Sequence, residues 1–351
     1  MTTRREFLKQ SAAASIAAAL LRPVAGAAQT GTAQTVLGPV DPSRLGHTLP
    51  HEHIADALTF LNRWPKDWGG RAEFTAGIIA RLKLVREAGA GTIVDLTSYD
   101  VGRDIRFLEE VSRESGLHMI ASTGQRFFPP QKNLPTPSGT VEGLAAFFIK
   151  EIEQGIDGTS VKAGVIKIGI NTNRPTDLEQ TGLRAAVRAS KATGMPIRIH
   201  TDSANRAGDS IAAILEEEGM NPSRVSFDHS DGSGNMDYFL GLVRRGYALG
   251  MDHVHRGLMP DTVPSFERRA ECIKLLADAG FANKVFLSQD AELGGLLLPD
   301  EIKDFRSKLD PPEGLAFTTR TLIPHLKQVG VSDRDIHTMT VENPRRFFSR
   351  L

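Results

Sequence analysis

One pattern restricts this chain more than any other. A helical stretch gives way to a short apolar or β-branched run that ends in a polar residue, and the pair repeats along most of the sequence. The first run is Gly46-His47-Thr48-Leu49, which leads into Pro50-His51-Glu52-His53. Residues 71–88 then read as a helix stopped by Gly89, and residues 91–97 as a second strand. The alternation continues with helices over 104–116, 140–155, 177–194, 208–219, 238–246 and 266–279. Strands follow each of them, over 118–124, 163–170, 196–201, 224–229, 247–252 and 284–290. Residues 318–329 read as a closing helix, and 332–348 pack the end. No Gly-x-Gly-x-x-Gly follows any strand, which disfavours an open doubly wound sheet. The expectation is an α/β protein, a closed (β/α)8 TIM barrel, opened by a short hairpin at Thr35-Val36-Leu37-Gly38-Pro39-Val40.

In such a barrel the chemistry sits at the C-terminal ends of the strands, facing the axis. Strand one supplies His51 and His53, which share a face because strand side chains alternate. Strand four supplies Lys167, strand five His200, strand six His229 and strand eight Asp290. Imidazole is the commonest metal-ligating side chain, and four of the ten histidines fall at these ends. Lys167 interrupts an apolar run, Val165-Ile166-Lys167-Ile168, where an unpaired ammonium is costly. Two accounts fit it. Carbamylation by CO2 would make it an anionic ligand with two oxygens, and pairing with a buried carboxylate would neutralise it. Lys162 lies at the start of the same strand and reads as a surface lysine.

The 351 residues carry 42 basic and 42 acidic side chains with no basic run, so nucleic acid is not an expected partner. Cys272 is the sole cysteine, which excludes an intrachain disulfide. Residues 1–27 read as a twin-arginine signal peptide: Arg4-Arg5, an apolar run from Ala12 to Leu21, and Ala25-Gly26-Ala27 for cleavage. A spacer over 28–34 and a single (β/α)8 domain over 35–351 follow. The expected partner is the twin-arginine export machinery and the expected location the periplasm.

Longer motifs sharpen this. They are Gly38-Pro39, Thr97-Ser98-Tyr99-Asp100-Val101-Gly102-Arg103-Asp104, Ala163-Gly164-Val165-Ile166-Lys167, and Pro222-Ser223-Arg224 leading to His229-Ser230-Asp231. Gly250-Met251-Asp252-His253 and Thr340-Val341-Glu342-Asn343-Pro344-Arg345-Arg346-Phe347 complete them. On these the chain resembles the phosphotriesterase family of the amidohydrolase superfamily. The resemblance implies two divalent metal ions, usually zinc, with cobalt or manganese also suited to such ligands. His51, His53 and Asp290 would hold the buried ion, and His200 and His229 the exposed one. A carbamate on Lys167 and a hydroxide would bridge them. The hydroxide would attack phosphorus or an acyl carbon, Asp290 would take its proton, and His253 would relay it outward. The last carboxylate of that relay falls at Gly232 here, and the adjacent Asp231 is expected to face elsewhere. Glu52 should point away from the axis. A homodimer is also implied.

The loops depart from the organophosphate specialists of that family. Arg126 stands where they carry tryptophan and lactonase members tyrosine. His255-Arg256-Gly257 follows strand seven in a shorter loop, and residues 293–298 are Gly- and Leu-rich rather than aromatic. Trp64 and Trp68 are expected to pack within the loop after strand one. Arg126, Phe127, His255 and Arg256 are the expected substrate-binding residues, the two arginines facing a carboxylate or phosphate. The expected activity is hydrolysis of a lactone or carboxylic ester, with weak phosphotriesterase activity. The alternatives are a true aryldialkylphosphatase and a periplasmic metal- or ligand-binding barrel without activity.

Overall fold

The short strand β1 (Thr32–Thr35) turns at Val36-Leu37 into β2 (Gly38–Val40), with Gly38 in a left-handed conformation that closes the turn. This computed structural model describes residues 31–54, 70–128, 138–292 and 313–350. The expected signal peptide, Trp64, Trp68 and residues 293–298 lie outside the described residues. The opening element is more than a hairpin, because Ser349–Arg350 adds a third antiparallel strand, pairing Thr32 with Arg350. The sheet also begins at Thr32, inside the segment read as a spacer. A two-residue strand at the far end of the chain is too short to announce itself by alternation.

Eight parallel strands follow: β3 (Thr48–Glu52), β4 (Thr92–Asp95), β5 (His118–Gln125), β6 (Val165–Gly169), β7 (Ile197–His200), β8 (Val225–Asp228), β9 (Ala248–Met251) and β10 (Val285–Leu287). They pair in sequence order from β3 to β10. Backbone hydrogen bonds from Asp290 to His51 (3.1 Å) and from His53 to Ala291 (3.0 Å) join the last strand's end to the first, closing the barrel as expected. Between strands run α1 (Gly70–Glu87), α2 (Ile105–Ser115), α3 (Val141–Glu153), α4 (Asp177–Thr193), α5 (Ala207–Glu217), α6 (Met236–Arg244) and α7 (Phe266–Asp278). The helix α4 shows why its boundaries were legible: Thr176 and Glu179 form a reciprocal capping box, and Gly194 ends it at φ 75°.

Alternation sorts each strand into two faces. Ile166, Ile168, Ile197, Ile199, Leu249 and Leu287 point outward into the apolar layer under the helices. Val94, Ile120, Val165, Ala248 and Phe286 point inward and meet Phe347 and Phe348. That plug leaves the C-terminal half of the interior to polar groups, where Lys167, Arg198, Asp228 and Asp252 are all fully buried. At β3 the alternation breaks. Leu49 pairs with Ile93 and Glu52 with Asp95, three residues against two, so a bulge lies between Leu49 and Glu52. Without it, the parity that sends Leu49 outward would send His51 outward too.

His47, at the other end of β3, is not part of the site. Its ring is buried, its Nε2 has no hydrogen-bond partner among the described residues, and burial pushes its pKa down from 6.5 to about 4. The unfolded chain therefore binds a proton below pH 6.5 that the folded chain refuses until about pH 4. Stability should fall by about 1.4 kcal/mol per pH unit across that window, roughly 3 kcal/mol in all. In urea titrations, His47→Gln should remove this slope relative to the parent between pH 6.5 and 4. Parallel stability curves for the two proteins would refute the assignment.

Candidate metal centre

Two left-handed residues aim the ligands. His229 directly follows β8, where alternation after the inward Asp228 would turn it outward. At φ 59° its ring comes back to the axis. Asp290 sits at φ 48° beyond β10. Non-glycine residues held there carry strain of about 1–3 kcal/mol, which clusters at functional sites.

The donors form two linked groups. His51 Nδ1 donates to Asp252 Oδ2 at 2.7 Å, which leaves Nε2 directed at Lys167 Nζ (3.0 Å) and Asp290 Oδ1 (3.3 Å). His53 places Nε2 3.3 Å from the same Asp290 oxygen while its Nδ1 meets Thr97 Oγ1 at 2.8 Å. Across the mouth, the Nδ1 and backbone N–H of His229 both donate to Asp252 Oδ1 at 2.8 Å. Its Nε2 lies 2.6 Å from His200 Nδ1. His253 stacks on His229 with ring centroids 3.9 Å apart and reaches Asp290 Oδ2 through Nε2 at 2.7 Å.

Electrostatics disfavours protonation of His51, His200 and His229. Burial, helped by Lys167, holds His51 well below its usual range against the pull of Asp290. Burial with Arg126 and Lys167 does the same for His200, and burial with His253 and His200 for His229. Burial alone would raise Asp290, but His51 and the hydrogen bonds of His253 and His53 hold its carboxyl well below the usual range.

A metal fits this donor set. A carboxylate on Nδ1 fixes the tautomer and leaves Nε2 as a lone pair, the arrangement metal-bound histidines use. His51 with His53 and Asp290, and His229 with His253 and Asp290, are two of the three such groups close enough to share an ion among the described residues. Burial together with Asp228, Asp231 and Asp290 pushes Asp252 well above its usual range despite Arg198. Added cations would relieve that.

The structure thus brings together His51, His53, Lys167, His200, His229, His253 and Asp290. Lys167 pairs with Asp228 at 3.0 Å, the contact the buried-carboxylate account expects. Asp228 in turn meets Arg198 at 2.8 Å. Burial lowers the Lys167 pKa against the pull of Asp228 and Asp290. Arg126 Nη2 lies 2.8 Å from His200 Nε2, with its backbone N–H and that of Phe127 held by Asp100. Ligation through His200 Nδ1 puts the ring proton on Nε2, so it requires Arg126 to let go. The Phe127 ring lies under the Arg126 guanidinium at 4.8 Å. Arg256 stands 3.6 Å from Asp290 Oδ2. His255 is buried, edge-on to His253 and Phe317. Asp231 does face elsewhere: it accepts from the backbone N–H groups of Asp252 and His253 and pairs with Arg269 at 2.6 Å. Among the described residues no carboxylate meets His253 Nδ1.

Sequence reasoning passed over Arg198, Asp228 and the bridging part of Asp252. The first had a signal available, since Ile197-Arg198-Ile199 repeats the pattern of Ile166-Lys167-Ile168.

Fold and site together define a class: a (β/α)8 barrel with a metal-ready donor cage at its C-terminal mouth. Within that class the chain belongs to the phosphotriesterase family, which its residues 31–348 match. It is 34% identical to the phosphotriesterase homology protein of Mycobacterium tuberculosis, over 90% of this chain and 97% of that one. A solved structure of the phosphotriesterase from Mycobacterium tuberculosis superposes with a TM-score of 0.78 at 33% identity, covering 91% of this chain and 98% of that one. The aryldialkylphosphatase of Saccharolobus solfataricus is 31% identical over 88% of this chain and 97% of its own length. The N-acetyltaurine hydrolase of Tetraodon nigroviridis is 26% identical over 91% and 98%.

Proposed function

We propose that this protein is a binuclear metal-dependent hydrolase of lactones, carboxylic esters or amide-linked acids whose substrate carries a negative charge. One observation carries the substrate class: guanidinium groups stand at both ends of the donor cage, Arg126 beside His200 and Arg256 beside Asp290. Guanidinium binds carboxylate, sulfonate or phosphate oxygens in a fixed fork. A relative named for hydrolysis of N-acetyltaurine, an acylated amino acid bearing an anion, supports the same class.

When bound, two divalent cations supply Lewis acidity and a water acidic enough to attack at neutral pH. The residues divide the remaining work. His51, His53, Asp290, His200 and His229 would hold the ions, with carbamylated Lys167 between them. Asp290, held ionised, accepts a proton from the attacking water and passes it to His253 Nε2, 2.7 Å away. Beyond His253 the proton leaves to solvent, since Asp231 is tied to Arg269.

Assay of the metal-loaded protein against paraoxon, acyl-homoserine lactones, aryl esters and N-acyl amino acids tests this. Acidic acyl substrates should give the highest kcat/KM, and paraoxon as the best substrate would contradict it. Arg126→Ala should raise KM about tenfold or more for acidic substrates, the worth of one charge-assisted hydrogen bond. An equal rise for neutral ones would exclude a charge clamp.

Export by the twin-arginine route to the periplasm, and a homodimer, belong to the same proposal. The Arg4-Arg5 pair and the apolar run after it support export. Cell fractionation should find the protein in the periplasm, and Arg4→Lys with Arg5→Lys should retain it in the cytoplasm.

A further inference from the structure

Glu52 lies between two metal-type histidines yet points away from them. Its carboxylate is fully buried and accepts from four donors. Oε1 takes Ser288 Oγ at 2.6 Å, Gln289 Nε2 at 2.7 Å and the Gln289 backbone N–H at 3.2 Å. Oε2 takes the Ala291 backbone N–H at 2.9 Å. These donors flank Asp290 on both sides, and Asp290 is the residue held at φ 48°. Its own N–H goes to the His51 carbonyl at 3.1 Å. The side chain of one strand therefore grips the backbone immediately before and after a strained ligand on another.

We infer that Glu52 is a positioning residue: a strap that holds Asp290 in its left-handed conformation, with its carboxylate between His51, His53 and His253. The inference rests on the metal-hydrolase reading for its consequence and on the hydrogen bonds alone for its mechanism. Left-handed backbone at an aspartate is unfavourable unless its surroundings determine it. Four hydrogen bonds onto one fully buried carboxyl group, placed before and after Asp290, do so. The same strap explains why Glu52, rather than an apolar residue, occupies an outward position of β3.

Glu52→Gln separates strap from scaffold. The amide oxygen can keep the three donors at Oε1, but its NH2 then meets the Ala291 N–H donor to donor. Only the grip on the far side of Asp290 is lost, so the variant should fold, with a Tm within about 5 °C of the parent. In metal-free protein, amide exchange at residues 289–291 should accelerate by about tenfold or more. In zinc- or cobalt-titrated protein, one of two ions should bind about 10–100-fold more weakly. The visible spectrum of the cobalt form should change, and kcat should fall with little change in KM. Unchanged exchange, or an unchanged cobalt spectrum with both ions bound at parental affinity, overturns the strap. Accelerated exchange in a protein whose parent binds no metal upholds the strap and removes the metal reading instead. Ser288→Ala keeps the carboxylate and removes one donor. Ser288 Oγ also accepts the His51 N–H at 3.0 Å, so if the glutamine variant does not fold, only faster exchange at residues 289–291, at smaller amplitude, reads the strap in this variant.

Discussion

Lys167→Met should abolish hydrolysis, with kcat/KM lower by on the order of a thousandfold, equivalent to about 4 kcal/mol of transition-state stabilisation. Methionine fills nearly the volume of lysine and suits the apolar run around it. What it removes is the nitrogen 3.0 Å from His51 Nε2, where a carbamate would join the two halves of the cage. The fold should survive, since Asp228 keeps Arg198 at 2.8 Å and is not left as an unpaired buried charge. Metal content should drop below two ions per chain. With carbon-13 bicarbonate, the parent should show a protein-bound carbamate resonance that the variant lacks. Two ions bound and a rate within tenfold of the parent would show that Lys167 serves only to pair with Asp228.

Asp252→Asn should be nearly as damaging, for a different reason. One carboxylate serves a ligand from each half of the cage, Oδ2 on His51 and Oδ1 on both nitrogens of His229. An asparagine has a single acceptor oxygen. It should settle on the His229 side, where two donors wait, and turn its NH2 toward His51. That ring would then carry its proton on Nε2, the atom that faces Lys167 and Asp290. The ion at His51 should weaken by about 10–100-fold, while the ion at His229 is retained. Stepwise titration with cobalt would show one tight and one weak site, and activity should require the weak one to fill. Equal weakening of both sites would mean that the amide disrupts the cage as a whole.

Much of this was legible from the alternation of helices and apolar runs. Burial on both faces makes parallel barrel strands read as continuous apolar segments, so a lysine inside Val165-Ile166-Lys167-Ile168 stood out. The ligand positions followed from strand ends. Three things did not follow. The bulge that turns His51 inward is a register shift, invisible without the neighbouring strand. The left-handed turn that brings His229 back to the axis depends on Asp252, a strand away. The charged floor of Arg198 and Asp228 depends on the pairing of two neighbouring strands, β7 and β8, although Ile197-Arg198-Ile199 carried half of that signal. His255, next to the mouth in sequence, lies edge-on to both His253 and Phe317.

The central claim is that the cage holds catalytic metal. Its most direct test is metal analysis by mass spectrometry with hydrolysis of an acidic acyl substrate followed in parallel, before chelation, after it, and on stepwise return of zinc. Activity should vanish with the metal and recover only as the second ion per chain is restored. Hydrolysis that persists undiminished in protein stripped of metal would contradict the account.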